Sequence, residues 1–357
     1  VLNFGGNADW RHEMGIPSKM TAVYLMEPGR FEVREISVPE PGPHDVLVAV
    51  RSCGVCGSDI HYYEHGRIGD FVVNAPLILG HECAGEVVAT GSDVKMLVPG
   101  DRVALEPGIP CRRCKHCLSG RYNLCPDVVF MATPPVDGAF CEYVVSPEDF
   151  AYKLPENVST EAGATVEPLS VGLHAANLTG LKAGESVVVL GTGPIGLLSI
   201  AAAGAAGAAD ITAVDLVDMR LEAARRFGAG RTVNAGAEDV SELLADTADV
   251  VMDCVGIEKT LGQAFDVARP GGRVAWIGMG VASADLPLVK AQVKELLVTG
   301  VFRYANVYQS AVNLMGAGRI DTGPIVTHRF SFPEVEEAVK FAQQNRDIAL
   351  KTMVNFD

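Results

Sequence analysis

The chain has no run of clustered Lys and Arg: 29 basic residues face 44 acidic ones, for a formal net charge of −15. Neutralising nucleic-acid phosphates needs grouped cations, so nucleic acid is excluded as a partner, and an anionic membrane surface on the same ground. Long apolar runs are also missing. The longest candidate, Leu197 to Ala209, is rich in Ala and Gly and stops at Asp210, well short of the roughly 20 apolar residues of a membrane span. The basic-then-apolar order of a secretory signal is absent from the first residues. There are no internal repeats, and no low-complexity segment beyond the Ala-Gly stretch at 201–209. With 357 residues the chain is too long to need disulfide staples, and its nine cysteines stand at metal-ligand spacings. The expectation is a cytoplasmic protein with reduced thiols and a small-molecule partner.

What is there begins with Cys53-Gly-Val-Cys56-Gly-Ser-Asp-Ile-His61 and, some twenty residues on, Gly80-His81-Glu82. A thiolate from Cys56, an imidazole from His81 and a carboxylate from Glu82 are the three kinds of group that hold zinc, and three protein ligands leave one position open. An open position is what a catalytic zinc needs. Cys111, Cys114 and Cys117 come next at intervals of three, with Cys125 beyond. Four thiolates in one short lobe complete a closed tetrahedral shell, the structural type of zinc site. His116 lies inside the lobe, but four sulfurs already fill the shell, so it reads as solvated.

The length suits two domains. From Thr21 to Val50 the pattern is strand-like, with alternation over Phe31–Ile36 and an apolar run over Asp45–Val50. His61 to Phe71 reads as a polar loop, and short strands at 85–89 and 100–104 place the first zinc candidate in loops between strands. Residues 1–19 show no periodicity and read as a flexible arm or remnant. From 181 to 302 strands and helices alternate, which predicts a parallel sheet covered on both faces. After Phe302 the pattern shortens again, and the chain is expected to return to the first domain. The division is therefore 20–170 with 308–357 for one domain and 171–307 for the other.

At the first strand-to-helix turn stands Gly191-Thr-Gly193-Pro194-Ile195-Gly196, with Asp215 at the end of the next strand. The glycines let the backbone approach a pyrophosphate whose charge meets a helix N-terminus. Asp215 would accept hydrogen bonds from the adenosine ribose and repel a 2'-phosphate, so NAD is expected over NADP. Arg220, five residues on, offers a guanidinium to the same region. Glu167, next to Pro168, is read locally either as a helix-start carboxylate, which the sequence favours, or as a group facing the metal.

Together these residues resemble the zinc-dependent medium-chain dehydrogenases, and within them the sorbitol and xylitol (polyol) dehydrogenase group. The stretches that carry the resemblance are Cys53–Asp59, Glu64–Gly69, Gly80–Glu82, Gly120–Cys125, Ala132–Pro135, Glu167–Val171 and Val301–Tyr304, and it covers the chain from Met20 to Asp357. The resemblance implies an α/β protein in which a GroES-like β-rich catalytic domain is interrupted by a Rossmann domain, with the active site in the cleft between. It turns the reading of Glu167 toward the catalytic zinc, directly or through water. It places Ser58 in a proton path and Tyr62, Phe130, Arg303 and Tyr304 around substrate. Gly278, Met279, Phe302 and Arg303 join the dinucleotide contacts. It also implies a homo-oligomer, a dimer or tetramer, for which the apolar region 273–302 offers a sheet edge.

The expected activity is reversible oxidation of a polyol at its second carbon to a ketose. The hydroxyl proton leaves through water, Glu167 and Ser58 while hydride passes to NAD, with one catalytic and one structural Zn2+. Two other readings compete. One is a dehydrogenase for another secondary alcohol, of the threonine or butanediol type; the other is a non-catalytic dinucleotide-binding or redox-sensing protein.

Overall fold

The computed structural model describes Arg11 and residues 14–356. The chain forms two compact units: one takes it up to Glu167 and again from Val326, the other is Pro168–Ile325. The helix Tyr308–Gly316, which the sequence reading gave to the first domain, thus falls with the second unit. Most of the expected arm at 1–19 lies outside the described residues. Within them Ile16 is buried, Arg11 donates from Nη2 to Val38 O at 3.2 Å, and Lys19 opens a strand. The end of that stretch therefore packs on the first unit.

The first unit starts with an antiparallel pair, Lys19–Glu27 and Arg30–Ser37. Its main sheet runs in the order Ala151–Lys153, Arg102–Leu105, Glu82–Thr90, Asp45–Gly54, Lys351–Asn355, Val326–Ser331, and Tyr143–Pro147 also pairs with Asp45–Gly54. Asp45–Gly54 is central because it is apolar on both faces: Val46, Leu47, Val48, Val50 and Cys53 are all buried. Register shifts at Leu47/Val48 and Val50/Ser52 mark irregularities in its pairing with Glu82–Thr90, and such bulges bend a strand and re-aim the residues beyond the bend. The last strand of the chain, Lys351–Asn355, closes against its far end through Met353, Val354 and Asn355.

Where a polar loop was expected from His61, the chain forms the helix Gly57–His65. Ile60, Tyr62 and Tyr63 turn inward, and the Asp59 carboxylate accepts the Cys56 amide at 2.8 Å, satisfying a donor that the helix start leaves open. The outward side, His61, Glu64 and His65, is polar. That one-sided polarity, read as a row, looked like a loop.

The second unit holds a six-stranded, all-parallel sheet in the order Arg231–Asn234, Asp210–Asp215, Ser186–Leu190, Ala248–Asp253, Ala268–Trp276, Leu297–Gly300. Helices Pro194–Ala205, Asp218–Arg226 and Glu258–Val267 make the crossovers. The order reverses between Ser186–Leu190 and Ala248–Asp253, the point where such sheets take their ligands. The strand Arg231–Asn234 was not anticipated; it has four residues and only Val233 is buried. No helix among the described residues is long and apolar enough to cross a membrane.

Candidate metal centre and dinucleotide site

Cys56 caps the helix Gly57–His65, and Glu82 opens the strand Glu82–Thr90 with His81 just before it. One donor atom from each of the three lies within 4.8 Å of the others, with His81 and Glu82 buried and Cys56 half-buried. Two glycines make this approach feasible. A Cβ on Gly54 would stand 2.2 Å from Glu82 Oε2. Gly80 has φ +83° and would strike Phe140 and the Cys53 sulfur, at 2.8 and 2.9 Å. A side chain at Gly54 would displace the Glu82 carboxylate, and one at Gly80 would press on Phe140 and Cys53 next to His81.

The pocket gathers negative charge. Burial pulls the His81 imidazole down, yet its interactions with Cys56, Asp59 and Glu167 outweigh that and raise the group to about 10. Asp59 is fully buried and is itself raised by that burial, against the amides of Cys56 and Gly80 that it accepts at 2.8 and 3.0 Å. Its Oδ1 stands 4.0 Å from His81 Nδ1, close enough to orient the ring electrostatically. A half-buried cysteine sulfur and buried carboxylates crowded around one imidazole suit a divalent cation: the donor set fits zinc.

The same pocket contains a group that sequence reasoning missed. Lys351 Nζ, on the returning strand, reaches both oxygens of Glu82 at 2.7 Å and the Val55 carbonyl at 3.1 Å, with both partners buried. Burial lowers the Lys351 ammonium, but Glu82, Cys56 and Glu167 raise it further, so it stays charged. A carboxylate offers about four lone-pair sites, so Glu82 has acceptor capacity for a metal besides Lys351. Glu167 lies in the first turn of the helix Val166–Thr179 and is buried; it is outside the three-residue donor cluster but close enough to act on His81. The helix-start reading of Glu167 is the one the helix position bears out. Ser58 is half-buried in the first turn after Cys56, Tyr62 is buried, and the Phe130 ring sits 5.8 Å from the His81 ring.

The four-cysteine lobe is a second cluster. One sulfur from each of Cys111, Cys114, Cys117 and Cys125 lies within 4.8 Å of the rest, and none is in a disulfide. The Cys114–Cys117 and Cys111–Cys117 sulfur separations are 3.4 and 3.9 Å, on either side of the about 3.8 Å that two thiolates keep on a tetrahedral zinc. Backbone amides, chiefly those of Arg113 and Cys114, lower the Cys111 thiol to about 7. Burial and the neighbouring sulfurs push Cys117 up to about 12. Arg112 pins the lobe to the body, its guanidinium forked on Asp149 at 2.6 and 2.8 Å. His116 is half-buried and is not in the cluster.

In the second unit Gly191 has φ +84° and a Cβ there would meet Val255 at 2.4 Å; one on Gly196 would stand 1.9 Å from the Gly191 carbonyl. Gly193 caps the helix and Pro194 and Ile195 begin it, so the amide end of Pro194–Ala205 faces the turn, as an anion site requires. Asp215 accepts the Thr192 amide and hydroxyl at 2.7 and 3.1 Å and the amides of Leu216 and Val217 at 2.8 and 3.0 Å, with Arg220 Nη1 at 3.9 Å. These contacts lock the carboxylate at the strand end; the rotatable Thr192 hydroxyl is the one that can yield to a ribose. A Cβ on Gly278 would overlap Val255 and Gly256 backbone at 2.3 and 2.6 Å, and Met279 is 73% exposed. Phe302 stacks under the Arg303 guanidinium at 4.8 Å, Arg303 has φ +54°, and Tyr304 is buried against Tyr308.

The signals for the missed residues were faint. Lys351 is one Lys inside the apolar run Ala349–Val354, and Asp59 stands three residues after Cys56, the spacing of a reciprocal cap.

Residues 42–156 match the alcohol dehydrogenase GroES-like domain and residues 194–317 the zinc-binding dehydrogenase domain. The chain is 43% identical over 345 residues to a sorbitol dehydrogenase of Arabidopsis thaliana, covering 94% of each. Among solved structures it is similar to an Escherichia coli oxidoreductase/dehydrogenase of unknown specificity (38% identity, 95% of this chain and 99% of that one, TM-score 0.91). It is also similar to a zinc-binding dehydrogenase of Sinorhizobium meliloti bound to NADP (34% identity, 95% and 100%, TM-score 0.87). A GroES-like unit joined to a parallel dinucleotide sheet, with a zinc donor set in the first, accounts for both matches. The chain belongs to the zinc-dependent medium-chain dehydrogenases, in the sorbitol dehydrogenase group, and uses zinc and a nicotinamide dinucleotide.

Proposed function

We propose that this chain oxidises a secondary alcohol of a polyol to a ketose, with NAD as hydride acceptor and a zinc held by Cys56, His81 and Glu82. The observation that carries the reading is the Cys56-His81-Glu82 donor cluster, half-buried at Cys56 and buried at the other two, in a pocket whose Cys56, Asp59 and Glu167 raise His81 to about 10. The sorbitol dehydrogenases among its relatives supply the substrate class. When bound, zinc stabilises the negative charge that grows on the substrate oxygen as its proton leaves. Ser58 and Glu167 move that proton outward to water. A nicotinamide dinucleotide held at the turn Gly191–Gly196 would supply the hydride acceptor for the oxidation of the alcohol carbon to a carbonyl. Phe130, beside His81, keeps water from the reacting face, and Tyr62 stands on the helix that Cys56 caps.

Asp215 favours NAD because its carboxylate repels a 2'-phosphate. The NADP in the Sinorhizobium relative and the nearness of Arg220 make this worth testing directly. The four-cysteine lobe holds a second, structural zinc. The working form is a homo-oligomer paired through the edge strand Leu297–Gly300, where Leu288, Val293 and Leu297 are 66%, 80% and 69% exposed, and the nine free thiols favour a reducing compartment such as the cytoplasm.

The test is NADH formation across four- to six-carbon polyols, with other secondary alcohols, NADP and chelator-treated enzyme alongside. Chelator-sensitive NAD reduction with one or two polyols is expected. Zinc-loaded enzyme that reduces NAD only with threonine or a butanediol would overturn the substrate class, and none with any alcohol would overturn the activity. Asp215→Ser should shift the cofactor preference toward NADP by tenfold or more, roughly 1.4 kcal/mol; an unchanged ratio removes Asp215 from that role.

A further inference from the structure

We propose that the outward face of the helix Gly57–His65 is a separate metal site, in which His61, Glu64 and His65 bind a late first-row divalent ion such as Zn2+. Spacings of three and four residues put these side chains on one helix face. One donor atom from each lies within 4.8 Å of the others, and the two imidazole centroids are 5.8 Å apart. The site shares no ligand with the Cys56 cluster. Cys56 caps the start of this helix and His65 ends it, about 13 Å along the axis at 1.5 Å per residue.

Three features favour an ion here. Glu64 is held from a second element: Gln343 Nε2, in the helix Val335–Gln344, donates to Glu64 Oε1 at 2.6 Å, which leaves Oε2 facing His65 Nε2 at 3.7 Å. A carboxylate fixed by an outer hydrogen bond is the usual design of a metal ligand. The site lies over the last turn of the helix, which ends at Gly66 in the left-handed conformation, where the negative end of the helix dipole attracts a cation. Two imidazoles and one carboxylate, with positions left for water, suit Zn2+, Ni2+ or Cu2+ and not Mg2+ or Ca2+. One group opposes it. Arg346 Nη2 stands 3.9 Å from Glu64 Oε2 on a 62% exposed side chain, and it must turn aside when an ion enters. Occupancy would tie the helix that presents Cys56 to the helix Val335–Gln344 through Glu64 and Gln343.

The experiment uses the full chain with its intrinsic metal retained and any affinity tag removed. Equilibrium dialysis against Zn2+ should show one additional ion per chain in the wild type. His61→Gln and His65→Gln should each weaken it roughly tenfold or more, and Arg346→Gln should tighten it several-fold, a response that scattered surface histidines would not give. With one equivalent of Cu2+, electron paramagnetic resonance should show two nitrogen ligands in the wild type and one in each histidine variant. No additional ion up to millimolar Zn2+, or an ion bound equally by the wild type and the His61→Gln/His65→Gln double variant, would overturn the site.

Discussion

The four-cysteine lobe takes all its donors from one short stretch, 111–125, with three of the four half-buried. The Cys56 cluster takes its donors from a helix cap and a strand start, and its counter-cation, Lys351, comes from the far end of the chain. In the lobe the donors sit on turns and short helical segments tied to the body by Arg112 on Asp149 and Tyr122 on Glu106, so the zinc proposed there would supply much of the cohesion that a core gives elsewhere. Around Cys56 the sheet already fixes the donors: Gly54 and Gly80 admit them, Asp59 holds the helix start, and Lys351 balances Glu82. A site that the proposed zinc would hold and a site held by its fold should respond differently to the same injury.

The widest separation is expected in activity. His81→Ala should lower turnover by about 10^4-fold or more, consistent with the several kcal/mol a metal gives to a charged transition state, while the protein stays folded and still quenches or shifts NADH fluorescence. Cys114→Ser should remove one zinc per chain and reduce thermal stability, yet leave measurable hydride transfer. Zinc content, steady-state rates and thermal unfolding on the same samples decide the matter. If Cys114→Ser abolished chemistry in folded protein, or His81→Ala spared it, the assignment of roles would be reversed.

Lys351→Met comes next. It strands the buried Glu82 carboxylate without its cation, and breaking a buried pair by removing one partner costs about 3–5 kcal/mol. A bound zinc would take over part of that charge balance, so the loss should be larger in chelator-treated than in metal-loaded protein, and Glu82→Gln in the same chain should recover part of it. The lobe's own ion pair offers the contrast: Arg112 and Asp149 are 52% and 43% exposed, and Arg112→Ala should cost only about 0–1 kcal/mol. Denaturant unfolding with and without chelator measures all four. Equal losses at Lys351 and Arg112 would show that burial does not distinguish the two regions.

The same contrast explains what the sequence made legible. Donors close in sequence, such as the four cysteines, and a glycine turn bracketed by an apolar strand and a helix can be read as rows of letters, because the chemistry is local. Alternation from 181 to 302 likewise announced the parallel sheet, since buried strands are continuous apolar runs. Lys351 could not be read in this way: its role exists only because the strand Lys351–Asn355 is laid antiparallel against Asp45–Gly54. The helix Gly57–His65 was hidden by its polar outer side, and Arg231–Asn234 by its brevity. The residues that cluster were therefore visible, but Lys351 beside Glu82 was not.

Glu106 joins the two regions and gives the subtlest test. It is buried, and its carboxylate accepts the Tyr122 hydroxyl of the lobe at 2.7 Å and the Tyr152 hydroxyl of the strand Ala151–Lys153 at 2.9 Å. Burial raises it to about 7 despite both hydroxyls, with Glu167 adding to the rise. A carboxyl raised on folding favours the folded state while neutral, so its contribution is full below the ordinary value of 4.5 and is lost as pH rises through about 7. Between pH 5 and 8 the wild type should therefore lose up to roughly 3 kcal/mol relative to Glu106→Gln, which cannot ionise. Thiol protonation acts on both proteins alike, so the difference between their urea-unfolding profiles isolates this one group. Parallel profiles would mean that the two tyrosine hydroxyls fully offset the burial of the charge, and that the joint between lobe and sheet is insensitive to pH.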